Sequence, residues 1–242
     1  ASGGKGANQA VASAKQGVDS VMLGSVGTDP LSKDILEKLQ EYKVDIHHVK
    51  QVKDAKCGVA QIFLSDGDNR IVIHANANNT HNIKELQSAL KAEYQEGAIL
   101  ISQFEIPEEV IEEAFTYAKA IGYKTIFNAA PAKKISTKLA KEIDLLIVNE
   151  IEGSLISGIE LTSMKDAEKA AKNIFNQGIK AVLFTFGKAG SVYVDQEHTH
   201  QVSAFSVKAI DTTAAGDTFI GALAASMVKG EPIKTAMQFA SA

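Results

Sequence analysis

The sequence predicts an α/β fold: a mostly parallel β-sheet sandwiched between helices, with a small β-sheet lid standing apart from it. Three observations carry this expectation. Apolar runs of strand length alternate with longer segments of helical period along most of the 242 residues. The strand-length runs are apolar throughout, as strands covered on both faces must be. Between Cys57 and Ala75 the texture changes to two β-rich runs with no helix between them, so that pair is antiparallel.

Taken in order, the glycine-rich turn at Ser2 to Gly6 leads into a helix, and Ser20 to Val26 ("SVMLGSV") reads as a strand. From Leu31 onward, Leu31, Ile35, Leu36, Leu39 and Tyr42 share one helical face. "CGVAQIFLSDGDNRIVIHA" is a hairpin turning in "SDGDN", and the lid is taken as residues 56–76. Ala98 to Ser102 is a buried strand. Pro107 suits a helix start, and Val110, Ile111, Ala114, Phe115, Ala118 and Ile121 recur at helical spacing after it. Lys124 to Asn128 and Asp144 to Asn149 are strands separated by a short helix. Met164 to Gln177 is helical and Lys180 to Gly187 again a strand. "GSVYVDQEHTHQVSAF" is a second hairpin, turning near Gln196 and Glu197. A strand-like run ends at Ile210, and the small residues from Ala214 to Ala225 form a close-packing helix. With no internal repeat or linker, residues 1–242 read as one α/β domain carrying the lid. The opening "ASGGKGANQA" and the closing "MQFASA" both read as cuts through that domain.

Hydrophobic residues make up 45% and charged residues 22%, the balance of a globular protein. A formal net charge of −4 with scattered Lys and Arg gives no footprint for nucleic acid. Cys57 is the only cysteine, which excludes an internal disulfide and a thiolate zinc site. Its apolar surroundings read it as a small buried hydrophobe. No apolar stretch approaches the ~20 residues of a membrane span and no signal peptide opens the chain, so a cytoplasmic location without a membrane partner is expected.

The chemistry concentrates at strand exits. In "DTTAAGDTFIGAL", Asp211 to Leu223, a glycine opens a helix. The first-turn amides of a helix lack internal partners and, with the helix dipole, favour an anion. Ala215 and Gly216 let a phosphate approach, and Asp217 projects beside it as a candidate proton acceptor. The plainer reading is an acidic residue favouring a helix N-terminus. "SGGKGANQA" is neither of the nucleotide-binding glycine fingerprints. It reads as a surface turn or as a close approach to a small polar ligand, with Lys5 and Asn8 as donors. Asn149 and Glu152 of "NEIE" would face the crevice at a strand's carboxyl end, or serve as a helix cap. Thr185 to Gly190, "TFGKAG", permits a tight loop over a flat ligand. The six histidines form no metal-ligand spacing, and no metal cluster is assigned to them.

In combination and in this order, "GGKGANQA", "FNAAPA", "VNEIE", "TFGKAGSVYV" and "DTTAAGDTF" resemble the signatures of the ribokinase (PfkB) family of carbohydrate kinases, over essentially the whole chain. The resemblance implies ATP-dependent phosphorylation of a sugar, D-ribose to D-ribose 5-phosphate. Asp217 would be the general base, and the amides of Ala215, Gly216 and Asp217 the anion hole. Gly4, Lys5, Gly6, Ala7, Asn8 and Glu105 would hold the sugar. Asn149 and Glu152 would lie by the phosphates and Mg²⁺, with Thr185, Phe186, Gly187, Lys188, Ala189 and Gly190 by the nucleotide. Asp211 and Thr213 match part of an activating K⁺ site. The lid would cover the sugar and form a homodimer interface. The family's N-terminal strand, with its sugar-binding Asn-x-Asp, would precede Ala1, and the segment completing the adenine pocket would follow Ala242. Alternatives are a kinase of the same fold acting on fructose, a ketosugar acid or a nucleoside, and a sugar-binding relative without catalysis.

Overall fold

The computed structural model describes residues 2–65, 68–207 and 211–242. The chain opens with α1 (Lys5–Lys15), β1 (Gly24–Val26), α2 (Pro30–Glu41) and β2 (Val49–Gln51). Asp29 caps α2 by accepting from the Ser32 amide, and Pro30 takes the first position, where its missing N–H costs nothing. β1 and β2 pair in parallel, apart from the main sheet. The expected strand from Ser20 to Val26 therefore shrinks to its last three residues, with Val21 making only an isolated bridge to Asp45. The face expected on α2 is also narrower. Leu36 and Leu39 are buried, while Leu31 and Tyr42 stay exposed, because α2 packs on one side only against a small cluster around Ala7 and Val44.

The lid hairpin is β3 (Val59–Ser65) and β4 (Asp68–His74), antiparallel from Val59 opposite His74 to Ser65 opposite Asp68. The tip of its turn, like the strand-like run ending at Ile210, lies outside the described residues. Cys57, just before β3, is only half-buried and unpaired, a correction to the buried reading, because the hairpin stands apart and leaves one side of its root open. α3 (Ile83–Ala92), capped by Asn82, returns the chain to the core; like β2 it was not anticipated.

The core alternates strands with helices: β5 (Ile99–Gln103), α4 (Glu108–Ala120), β6 (Lys124–Asn128), α5 (Thr137–Ala140), β7 (Leu145–Asn149), α6 (Glu150–Ser157), α7 (Ala167–Phe175) and β8 (Val182–Thr185). The second hairpin follows as β9 (Ser191–Val194) and β10 (Thr199–Val202), and the described chain closes with α8 (Ala215–Val228) and α9 (Ile233–Ala240). The six-stranded sheet runs β10-β9-β8-β7-β6-β5, parallel from β5 to β8 and antiparallel at β9 and β10. Period-two alternation splits the strand side chains between two layers. Phe127, Leu146 and Phe184 pack with Ile111, Phe115 and Ile174 under the helices of one face. Ile126, Ile147 and Leu183 pack with Leu223 and Met237 of α8 and α9 on the other. Each such buried side chain stabilises by roughly 1.5–3 kcal/mol, so both faces hold the parallel strands in register. The carboxyl ends of β5 to β8 then lie along one edge, where α/β ligands bind.

Candidate active site

Two helix N-termini meet above that edge. At the start of α8, Asp211 Oδ1 accepts the Thr213 amide at 2.8 Å, and Ala214 takes a left-handed φ of 59° as the cap. The Ala215 amide donates to the Thr212 carbonyl at 3.1 Å. Of the three amides expected in an anion hole, Ala215's is thus engaged in the turn. Those of Gly216 and Asp217 lie in the first turn, where a helix offers no acceptor. Among the described residues, a Cβ added at Gly216 would meet nothing within 4 Å.

α1 starts at Gly4, whose φ of 103° only glycine adopts without strain. No side chain of its own caps this helix. Instead Glu105 Oε2, arriving on the segment after β5, accepts the Lys5 amide at 2.8 Å. Burial pushes the Glu105 carboxyl above its usual range, with Asp217 adding to the rise, and the Lys5 amide and ammonium oppose it. Gly6 and Ala7 continue this first turn.

Asp217 is 7% exposed. Asn8 Nδ2 donates to its Oδ2 and Gln9 Nε2 to its Oδ1, both at 2.9 Å. Gln9 also donates to Asn128 Oδ1 at 3.3 Å and accepts from Gln103 Nε2 at 2.6 Å. Asn128 Nδ2 in turn donates to the Ile147 carbonyl at 3.2 Å. A backbone carbonyl can only accept, so it sets the Asn128 amide. Asn128 then sets Gln9, and Gln9 presents a donor to Asp217. The polarity of the chain keeps Asp217 an acceptor. Gly221 makes the approach of the helices possible: a Cβ there would lie 2.5 Å from Ala12 Cβ and 2.6 Å from the Gln9 carbonyl. Gln9, Gln103 and Asn128 were not singled out in the sequence. Gln103 and Asn128 are polar residues ending apolar strands, a signal that could have found them.

Asn149 and Glu152 form a capping box on α6: Asn149 accepts the Glu152 amide, and Glu152 Oε2 accepts the Asn149 amide, each at 2.9 Å. The capping reading therefore holds, at the edge where β7 ends. Burial raises the Glu152 carboxyl; Asp217 and Glu150 push the same way against the Asn149 amide and Lys5. At the end of β8, Thr185 Oγ1 donates to the Val148 carbonyl at 3.4 Å. Gly187–Ala189, including Lys188, form a single 3₁₀ turn between the buried Phe186 and Gly190. Gly190 has φ 115°, and a Cβ on it would lie 2.1 Å from the Val202 carbonyl, so the loop lies tight against β10. Asp211 and Thr213 are exposed, and the Thr213 amide holds the Asp211 carboxyl below its usual range.

A family model described as pfkB family carbohydrate kinase matches residues 1–242. The chain belongs to this family. Among its relatives, the kinase is 37% identical over 230 residues to the ribokinase of Staphylococcus aureus, covering 95% of this chain and 75% of the relative. It is 30% identical to the deoxyribokinase of Salmonella typhi, covering 98% of this chain and 78% of that one. The Arabidopsis thaliana ribokinase solved with ribose and ATP superposes with a TM-score of 0.88 at 30% identity, covering 99% of this kinase and 78% of that chain. The expected fold, a sheet between helices with a small separate lid sheet, is the fold of these carbohydrate kinases. Among the described residues, no helix is long and apolar enough to cross a membrane.

Proposed function

We propose that this carbohydrate kinase transfers the γ-phosphoryl group of ATP to the 5-hydroxyl of D-ribose. The observation that carries the proposal is the Asp217 carboxylate: buried, in the first turn of α8, and held by Asn8 and Gln9 of the helix that begins at the sugar-side turn. Asp217 accepts the hydroxyl proton as the ribose O5–Pγ bond forms and the bond from Pγ to the ADP oxygen breaks. The first-turn amides of Gly216 and Asp217 take the charge on the transferring group. Gly4, Lys5, Asn8 and Glu105 hold the sugar, and the loop Thr185–Gly190 holds the nucleotide. The buried carboxylate of Glu152, drawn to a nearby cation by its unfavourable burial, and Asn149 beside it are hard oxygen donors that fit Mg²⁺. Mg²⁺ would neutralise phosphate charge there. Asp211, whose carboxylate stays ionised and exposed, and Thr213 contribute to a K⁺ site beside α8.

The β3–β4 ribbon closes over the sugar, since an open site would lose ATP to hydrolysis. A two-stranded ribbon is marginal alone, and β4 exposes Val72 and Ile73. Pairing of lids in a homodimer would cover them. A single unpaired cysteine suits the reducing cytoplasm.

The test is ADP release from the full-length protein with D-ribose, 2-deoxy-D-ribose, fructose and adenosine in parallel, with and without K⁺. Turnover strongest on ribose and raised by K⁺ supports the proposal. Preference for deoxyribose would favour the second reading, which the deoxyribokinase relative motivates. Turnover on none of them would leave a sugar-binding protein.

A further inference from the structure

Away from Asp217, the connection entering β2 and the end of α3 bring two histidines and a glutamate together. His47 Nε2 lies 3.2 Å and His48 Nε2 lies 3.0 Å from the same oxygen, Glu93 Oε1. One ligand atom from each of the three residues falls within 4.8 Å of the others. Around a tetrahedral Zn²⁺ with bonds of about 2.0–2.2 Å, neighbouring donors sit about 3.3–3.6 Å apart. The two His–Glu pairs are a few tenths of an ångström inside that spacing, so side-chain adjustment alone opens a seat for an ion.

A second observation sets the direction of the lone pair. Asp45 Oδ1 lies 2.7 Å from His47 Nδ1 and accepts the His47 backbone amide at 2.9 Å. A carboxylate on Nδ1 holds the proton there and leaves Nε2, the atom facing Glu93, free to ligate; this is the support found behind metal-bound histidines. The two imidazole rings crowd to a centroid distance of 3.7 Å around one carboxylate. Among the described residues no lysine pairs with Glu93, and the nearby Lys50 is held by Glu85 at 2.9 Å. The cluster borders an open cavity of about 330 Å³, which His48 and His47 line, so water can complete a coordination shell.

We propose that His47, His48 and Glu93 bind a divalent first-row transition ion, with Zn²⁺ fitting best, and that Asp45 orients His47 behind it. Two imidazoles and a carboxylate without thiolate suit Zn²⁺, whereas Mg²⁺ and Ca²⁺ require shells of oxygen. The ion joins segments 45 residues apart, clamping the β1–β2 pair to α3; its role is structural, since none of these side chains bonds to the Asp217 network.

The test uses the purified protein stripped of metal with a chelator and titrated with Co²⁺ and Zn²⁺ alone. Expected are one equivalent bound, a visible Co²⁺ band of tetrahedral type displaced by Zn²⁺, and a rise in Tm with Zn²⁺. His48→Ala and Glu93→Gln should each weaken binding ~100-fold or more, and Asp45→Asn ~10–100-fold. His47→Gln, at a half-exposed position, serves as a further loss variant should either of the first two fail to fold. His198→Ala, in the separate stacked pair with His200, should bind as the parent does. Sugar-kinase turnover and circular dichroism report that each variant is folded. Absence of stoichiometric binding by the parent, binding that survives His48→Ala and Glu93→Gln, or binding lost in His198→Ala overturns the proposal.

Discussion

Gly221→Ala isolates the packing that holds the proposed base. A Cβ on Gly221 would sit 2.5 Å from Ala12 Cβ, 2.6 Å from the Gln9 carbonyl oxygen and 2.9 Å from the Ser13 amide nitrogen. None of these is the end of a flexible side chain. Carbon atoms pack at about 3.5–4.0 Å, so α1 and α8 must separate by about 1 Å or more. Two effects then oppose each other. Alanine in a helix interior gains about 1 kcal/mol over glycine, while overpacking a closed contact costs about 1–3 kcal/mol or more. With three rigid atoms inside contact distance the cost belongs at the upper end, for a net loss of about 2 kcal/mol. In a domain of this size that lowers Tm by about 4–8 °C. The same shift carries Gln9 away from Asp217. A misplacement of about 1 Å near the chemistry costs ~10²-fold in rate, so kcat on ribose should fall by that order. Thermal unfolding and steady-state ADP release read the two effects separately. A variant as stable as the parent and fully active would refute both the close approach and the dependence of Asp217 on it.

Asp217→Asn should cut kcat by ~10² or more with a Tm loss of only a few degrees. Gln9, held by Gln103 and Asn128, keeps donating to the oxygen of the new amide, and Asn8 can turn its own amide to accept the new N–H, so no facing pair of donors is left; kcat near the parent's would remove Asp217 from the mechanism. Glu105→Gln bears on pH. Burial raises the Glu105 carboxyl above its ordinary 4.5, so the folded state holds that proton more tightly than the unfolded state. Its contribution to stability is present below pH 4.5 and is lost as pH rises through the raised value. Glutamine keeps an oxygen for the Lys5 amide and removes the charge, so the variant should be at least as stable at pH 7 and show a shallower fall from pH 4.5 upward in urea titrations. A less stable variant with the parent's pH profile would contradict this. Gly190→Ala, at φ 115° and 2.1 Å from the Val202 carbonyl, should destabilise by more than 1 kcal/mol and raise KM for ATP; parental values for both would mean the loop is neither tight nor at the nucleotide.

Most of the central sheet was legible because a strand covered on both faces must be apolar throughout. Lys124–Asn128 keeps its predicted ends, and Asp144 to Asn149 loses only its first residue. β1 was overread, since "SVMLGSV" is as apolar as the core strands and nothing local says that it pairs with β2. The second hairpin also followed from local chemistry, with Asp195 accepting the amides of Glu197 and His198 in its turn. At the site, glycine and small-residue spacing pointed to both helix starts. The Glu105 cap on α1 and the Gln103–Gln9–Asn128 chain span too many residues for any spacing to reveal.

By itself the sequence determined the periodicities, the turns and the residue types at each strand exit, because those depend on neighbours a few positions away. Only the tertiary structure decided which amide faces the Asp217 carboxylate, that the Ala215 amide is already engaged, and that His47 and His48 share Glu93. Hydrogen bonds and ion seats are made at distances of about 3 Å, and the packing of α1 on α8 and the approach of Glu93, at the end of α3, to His47 and His48 set those distances.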